Sequence, residues 1–308
     1  MQTDVISYDE HIEQGSIGRH ETFTPRYGWL KKGYDAVKED SAVFKASDAV
    51  ERLGVGKNMV RSIRFWCTAF HIIEPSPEGS GLMVTTKLGD KLLDDKGWDP
   101  YLEDIASIWL LHWQLFVPRL EAVNWSIAFN NCNVWSFDNN QLSKILQTAT
   151  QKYTRFASIS ENTFKKDASC LIHMYTEETP EKESEIDCHF RQLGLIRKAE
   201  EKDEVSFSNT EKTTLPPLIF AAASFSYMCS YVPKKQRTIS LQRLTYDFNS
   251  PGVVFKVPES VVGSYLYSAI DYLEQVSLRD DMGTYQLHLN QNPETLYWLS
   301  LENYYEEK

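Results

Sequence analysis

The chain has 308 residues, 42% hydrophobic and 24% charged, with a formal net charge of −11. That length suits two or three small domains, the 13% aromatic content argues against disorder, and the acidic total disfavours non-specific nucleic-acid binding by the molecule as a whole. No apolar run reaches the ~18–20 residues that would span a bilayer, and the acidic start MQTDVISYDEHIEQ lacks the features of a secretory leader. Five widely spaced cysteines form no Cys-x-x-Cys pair, so the expected setting is the reducing cytoplasm, with no membrane partner.

In chain order, residues 1–18 read as a flexible arm. Residues 19–97 read as a winged-helix DNA-binding module. An opening helix ends over Tyr34–Lys38, Ser47 is placed to cap a short helix over Asp48–Leu53, and Gly54 and Gly56 bracket a tight turn. Lys57–Phe70 follows as a longer helix, with Met59, Val60, Ile63, Trp66, Cys67 and Phe70 at helical spacing. The turn PSPEGSG between Ile72–Ile73 and Leu82–Thr85 then makes a hairpin wing, and Thr86 caps a closing helix, Lys87–Leu93.

Residues 98–135 read as an aromatic helical connector, with a helix over Pro100–Val117. Residues 136–212 read as a second winged-helix-like module. It has helices Gln141–Tyr153, Glu161–Tyr175 and Glu185–Leu193 and a hairpin from Leu195–Lys198 and Glu204–Phe207. Glu177–Glu185, EETPEKESE, is a solvated loop on this reading. Residues 213–308 form a C-terminal helical, third winged-helix-like module, with helices Leu241–Phe248 and Glu259–Val276 and strands Ser277–Arg279 and Thr284–Leu289. The whole pattern predicts a mainly α protein with short β-hairpins, an α+β chain of tandem winged-helix modules around a helical connector.

Charge is spread unevenly. From Arg19 to Arg64 there are ten basic and six acidic residues, a local surplus of +4. Lys57, Arg61 and Arg64 share a helix face at i, i+4, i+7, with Asn58 at the helix start. Such a face suits the major groove, where Arg meets guanine or phosphate and Asn meets adenine. A solvated basic face is the plainer alternative.

The segment RHETFTPRYGWLKK, residues 19–32, is the most unusual in the chain. His20 and Glu21 are candidate catalytic residues, for proton transfer or metal binding. Arg26, Lys31 and Lys32 are candidates for phosphate contact, and Phe23, Tyr27 and Trp29 for anchoring or base stacking. The competing reading is a structural strap that ties the arm to the first module. Asp99 and Glu103, one turn apart in an acidic cluster, are the rival candidates for a divalent metal, Mg²⁺ or Mn²⁺. Asp99 before Pro100 is also a natural helix cap. No Walker loop, dinucleotide glycine fingerprint, His-Glu-x-x-His or Gly-x-Ser-x-Gly occurs.

Three blocks in order across residues 19–113, RHETFTPRYGWLKKGYDAV, LGVGKNMVRSIRFWCTAF and WDPYLEDIASIWLLHW, resemble a bacterial domain-of-unknown-function family of DNA phosphorothioation gene clusters, the SspB-like proteins. The resemblance implies a DNA-handling component of an anti-phage defence system, a nickase that prepares a strand for sulfur incorporation. It implies DNA, a cysteine desulfurase and an ATP-using sulfur-transfer enzyme as partners. It carries no catalytic motif over to particular residues, so His20 with Glu21 and Asp99 with Glu103 both stay open. Two other functions fit the residues: a non-catalytic DNA-binding or scaffold subunit, and a winged-helix transcriptional regulator acting as a homodimer on a palindromic site.

Overall fold

The computed structural model describes residues 7–176, 188–201, 203–281 and 283–306. The loop expected at Glu177–Glu185 and the start of the helix expected at Glu185–Leu193 lie outside them. Helices α1 (Tyr8–Gln14), α2 (Trp29–Glu39), α3 (Ala49–Leu53) and α4 (Lys57–Ala69) lead to an antiparallel pair, β1 (Ile73–Pro75) and β2 (Met83–Thr85), followed by α5 (Lys87–Leu93). Next come α6 (Ile105–Gln114), α7 (Val123–Asn131), α8 (Asn139–Thr150) and α9 (Glu161–Tyr175), then a second antiparallel pair, β3 (Ile196–Lys198) and β4 (Val205–Phe207). The remainder comprises α10 (Pro217–Tyr231), β5 (Thr238–Ser240), α11 (Leu241–Tyr246), α12 (Pro251–Phe255), α13 (Glu259–Ile270), β6 (Val276–Asp281), β7 (Thr284–Leu289) and α14 (Pro293–Glu306). β7 lies between β5 and β6 in a three-stranded antiparallel sheet. The fold is mixed, helix-rich with small antiparallel sheets.

Two helices are apolar on every side, which suits an interior position. Residues Ala106–Gln114 of α6 and Leu218–Phe225 of α10 are all buried. Around them a contiguous apolar cluster reaches from Ile12 to Leu301. Trp66, Trp109, Trp113 and Trp125 are fully buried in it, and side chains of that size dominate the area removed from water. Several polar groups carried inside find partners, which offsets the cost of their burial. His112 Nδ1 meets Tyr175 Oη at 2.8 Å and its Nε2 meets the Val254 carbonyl at 2.9 Å. Asn249 joins Ser126, Asn130 and Tyr231.

Helices, hairpin and closing helix fall near their expected places across residues 29–93, and Thr86 caps α5 by accepting from the Gly89 N–H. Other details differ. The expected flexible arm is folded from Ser7 onward. A Ser7–Glu10 capping box starts α1, Ile12 is fully buried, and Ser16 pairs by backbone with Leu120 and Val123. Apolar Ile12 and Ile17 give that segment enough surface to bury. Asp48, not Ser47, stands at the N-cap of α3. α6 starts at Ile105, capped by Asp104 through the Ala106 N–H, rather than at Pro100. α13 stops at Ile270, and the chain turns to pair β6 with β7. All five cysteines are free, and four are buried. Among the described residues no helix is long and apolar enough to cross a membrane.

Candidate functional site

Just before α2 the backbone takes a strained path. Gly18, Arg19, Glu21 and Thr22 have φ of 78°, 71°, 51° and 69°. For the residues that carry a Cβ this costs roughly 1–2 kcal/mol each, and it persists only where neighbours hold the chain. α9, α7 and α4 supply that hold. Asp167 of α9 accepts from the Gly18 N–H at 3.1 Å and from His20 Nε2 at 2.9 Å, and Asn124 of α7 donates to the same carboxylate at 2.8 Å. From α4, Ser62 Oγ donates to the His20 carbonyl and Trp66 Nε1 to the Phe23 carbonyl, each at 3.0 Å. Phe65, Trp66 and Trp125 surround the His20 ring, which is 2% exposed.

The side chains of His20 and Glu21 point to different places. His20 is sealed in the core against Asp167, out of reach of a substrate. Glu21 reaches the surface, with Oε1 3.5 Å from Arg61 Nη1. The two side chains face different surroundings. His20 is a positioning residue for the loop.

The expected cations divide into two groups. Lys57, Asn58 and Arg61 are exposed at the start of α4, while Val60, Ile63, Trp66 and Cys67 bury its other side. Arg64 turns toward the hairpin, with Nη2 3.7 Å from Met83 Sδ. On α2 and α3, acids neutralise the charge. Lys31 sits 2.7 Å from both Asp35 and Asp95, Lys38 pairs with Asp94, and Arg52 pairs with Asp40 at 2.6 Å. Lys32 donates to the Leu53 carbonyl at 2.8 Å. The basic surplus is therefore not one continuous stripe.

Further positive charge lies across the loop, where sequence reading did not look. A pocket of about 410 Å³ has Thr22, Thr24 and Arg26 on its loop side and Lys165 and Lys166 on α9, with Arg191 beyond. Lys165 and Lys166 directly precede Asp167, so one stretch of α9 anchors the loop with its inner side and carries both lysines on its outer side, where Lys165 pairs with Glu161 at 2.7 Å. The Arg26 guanidinium lies over the rings of Phe23 and Trp29, at 5.3 and 5.5 Å. Arg191 Nε donates to the His173 carbonyl at 3.0 Å. At the back, the Cys170 thiol meets the Phe23 carbonyl at 3.4 Å, and burial pushes its pKa well above the usual range, so it stays a neutral thiol. The Glu21–Arg61 contact joins this rim to the exposed face of α4. Lys165-Lys166 was visible in the sequence, but nothing local says that residues 19–26 would fold against it.

A family model described as a protein of unknown function, DUF4007, matches residues 17–305. The chain belongs to the DUF4007 family. This DUF4007 chain is similar to a magnesium ion-bound SspB crystal structure, with a TM-score of 0.88 and 30% identity over 96% of this chain and 90% of that one. A second SspB crystal structure matches at a TM-score of 0.88 and 31% identity over the same shares. The fold is SspB-like, as the three sequence blocks implied. Comparison with the curated proteins finds no match.

In this DUF4007 chain Asp99 and Glu103 do not assemble a cation site. The Asp99 carboxylate accepts the Glu103 N–H at 2.9 Å and the Asp104 N–H at 3.0 Å, which closes a loop, while Glu103 is exposed. Among the described residues no three His, Cys, Asp or Glu side chains are placed to hold a metal. Asp99, with both carboxylate oxygens on backbone amides, and exposed Glu103 therefore do not form a joint carboxylate pair.

Proposed function

We propose that this DUF4007 chain is the DNA-binding component of a bacterial DNA phosphorothioation system in anti-phage defence, and that it nicks a strand before sulfur incorporation. One observation carries the DNA-binding part: Lys57, Asn58 and Arg61 stand exposed together at the start of α4. α4 follows the α3 turn and precedes the β1–β2 hairpin. In a winged-helix module that is the helix laid in the major groove, with its first residues at the base edges. The cationic pocket beside Glu21 extends the positive surface for phosphate contact. Likeness to SspB supports the phosphorothioation system, in which a cysteine desulfurase and an ATP-using sulfur-transfer enzyme act alongside.

Binding without cleavage is the second reading. The burial of His20 and the amide-bound carboxylate of Asp99 favour it, since neither expected catalytic pair meets solvent as a pair. A gel-shift assay on duplex DNA and a nicking assay on supercoiled plasmid, with Mg²⁺ or Mn²⁺ supplied, separate the two. The proposal expects a shift and conversion to open circles. A shift without open circles selects the binding subunit, and no shift at low salt rejects both.

A further inference from the structure

We infer that the pocket between α2 and the loop at residues 100–102 binds an unpaired guanine base. The inference deepens the proposed function, since it rests on that reading for the strand that presents the base. Aromatic surface is the first argument. Tyr27 and Tyr101 are 54% and 61% exposed, and both line this one space of about 420 Å³. Leu53, Pro100 and Leu102 add apolar wall. Bases stack on such rings, and the volume falls within the roughly 300–1,000 Å³ of sites for small ligands. It admits one base with its sugar and not a duplex, so the base must be out of its pair.

Charge is the second argument. Lys31, Lys32 and Arg52 reach the lining, but Asp35 and Asp95 answer Lys31, Asp40 answers Arg52, and Lys32 is turned onto the Leu53 carbonyl. A neutral ring suits such a wall better than a phosphate does. Glu39 also lines the pocket and is exposed, and among the described residues no group lies within hydrogen-bond or ion-pair reach of it. A carboxylate offers two acceptor oxygens and no donor. Guanine presents two adjacent donors, N1–H and N2–H, on its pairing edge. Adenine and cytosine present one amino group beside a ring acceptor, and thymine one N–H between two carbonyls. Of the four bases, guanine alone answers both oxygens.

The pocket also adjoins the proposed duplex contact, and its walls are set in advance. Leu53 ends α3, and the turn at Gly54–Gly56 leads straight to Lys57 and Asn58. Lys31 ties α2 to Asp95, and Lys32 ties it to α3. The His189 ring packs 4.8 Å from that of Tyr27. On the other side Asp99 holds the Tyr101 loop. Its carboxylate takes the Glu103 and Asp104 amides, and its carbonyl takes the Leu102 N–H at 3.2 Å. A site held in place before binding loses less ordering free energy when its ligand arrives.

Titration calorimetry on the whole chain tests this with thymidine pentamers whose central position carries guanine, hypoxanthine, adenine or no base. The four share the same phosphates, so differences report the base. The guanine form is expected to bind at least about tenfold more tightly than the abasic form. Hypoxanthine, which lacks the N2 amino group, and adenine are expected to fall at least about fivefold below guanine. Glu39→Gln should erase the advantage of guanine over hypoxanthine, and Tyr101→Ala should bring the guanine form close to the abasic one. Both side chains are exposed, so an unchanged melting temperature confirms that each variant is folded, and the wild-type series decides alone if one is not. Equal affinity for the guanine and abasic forms overturns the inference, and so does a folded Glu39→Gln variant with the parent's preference. Guanine and hypoxanthine bound equally overturn the guanine assignment. N-acetyltryptophanamide binding where all four pentamers are equal gives the pocket to a peptide side chain and overturns it too. Duplex binding by the same wild-type preparation separates this idea from the proposed function. A chain that selects guanine but ignores duplex retains the pocket and loses the proposed function. The opposite pattern loses only the pocket.

Discussion

His20 Nε2 lies 2.9 Å from Asp167 Oδ1, a residue 147 positions further along the chain. Through this contact the loop before α2 is fastened to the middle of α9. The same carboxylate takes the Gly18 N–H and the Asn124 amide, so one buried side chain sets the path of a strained segment and, with it, the loop side of the cationic pocket.

Asp167→Ala is therefore expected to leave three donors without an acceptor, those of His20 and Asn124 buried and that of Gly18 partly so. Each stranded donor costs about 1–3 kcal/mol, and the expected total loss is on the order of 4 kcal/mol because the loop relaxes in part. Urea unfolding checks this. A loss below about 1 kcal/mol would mean that solvent or other groups already satisfy those donors. Glu21→Ala is the contrast, since its contact with Arg61 is a partly exposed pair at 3.5 Å, and stability should move by no more than about 0.5 kcal/mol.

On α4, Lys57→Glu with Arg61→Glu is expected to abolish the duplex shift. Wild-type affinity should fall steeply with salt, because each phosphate neutralised releases counterions. Lys57→Gln alone should lower the salt slope by about one. Lys31→Gln should matter less, because Asp35 and Asp95 already hold that ammonium. Equal losses from Lys31→Gln and Lys57→Gln would reject α4 as the principal contact. Glu21→Ala should tighten duplex binding modestly by removing an anion beside Arg61.

Acid should weaken the fold. Burial lowers the pKa of His112 to about 3, offset in part by its bond to the Val254 carbonyl. The unfolded imidazole titrates near 6.5, so below that pH the unfolded chain takes up a proton that the folded chain refuses. This contribution to stability is complete above about pH 6.5 and shrinks as pH falls toward the folded value, by about 2 kcal/mol at pH 5. Urea midpoints should be level above pH 7 and decline from 6.5 to 5, and His112→Gln should make that decline shallower. An unchanged slope in the variant would show that His112 is not the group responsible.

Lys256 behaves in the opposite range. Its ammonium donates to the Phe129 carbonyl at 2.6 Å and lies over the Phe207 ring at 4.4 Å, and burial lowers its pKa to about 8. Below pH 8 it is charged in both states, and the folded state bears the full desolvation cost. Between pH 8 and about 10.5 the folded amine loses its proton first, so the cost fades. Lys256→Met should raise stability at pH 7 by on the order of 1–2 kcal/mol, after allowing for the lost hydrogen bond. That gain should shrink by pH 9.5. A variant equally destabilised at both pH values would show that the hydrogen bond outweighs the burial of charge.

Much of the architecture was legible in local pattern. The spacing of Val60, Ile63, Trp66 and Cys67 placed α4, Thr86 marked the start of α5, and the paired runs at 277–279 and 284–289 marked β6 and β7. Boundaries slipped where a cap had rivals, as with Asp99 and Asp104 before α6. The site was legible in half. The segment 19–32 stood out by composition, and Lys57, Asn58 and Arg61 by helical spacing, but the roles of His20, Glu21 and the α2 lysines did not follow.

Residue order alone determined which stretches become helix or hairpin and which helix faces are apolar, because periodicity and capping act over a few neighbouring positions. Tertiary packing decided which charges survive as charge. It brought Asp95 to Lys31, Asp94 to Lys38 and Asp167 to His20, and it set Lys165 and Lys166 opposite Arg26. Coulomb and hydrogen-bond energies depend on distance and burial, and for groups far apart along a chain both exist only after it has folded.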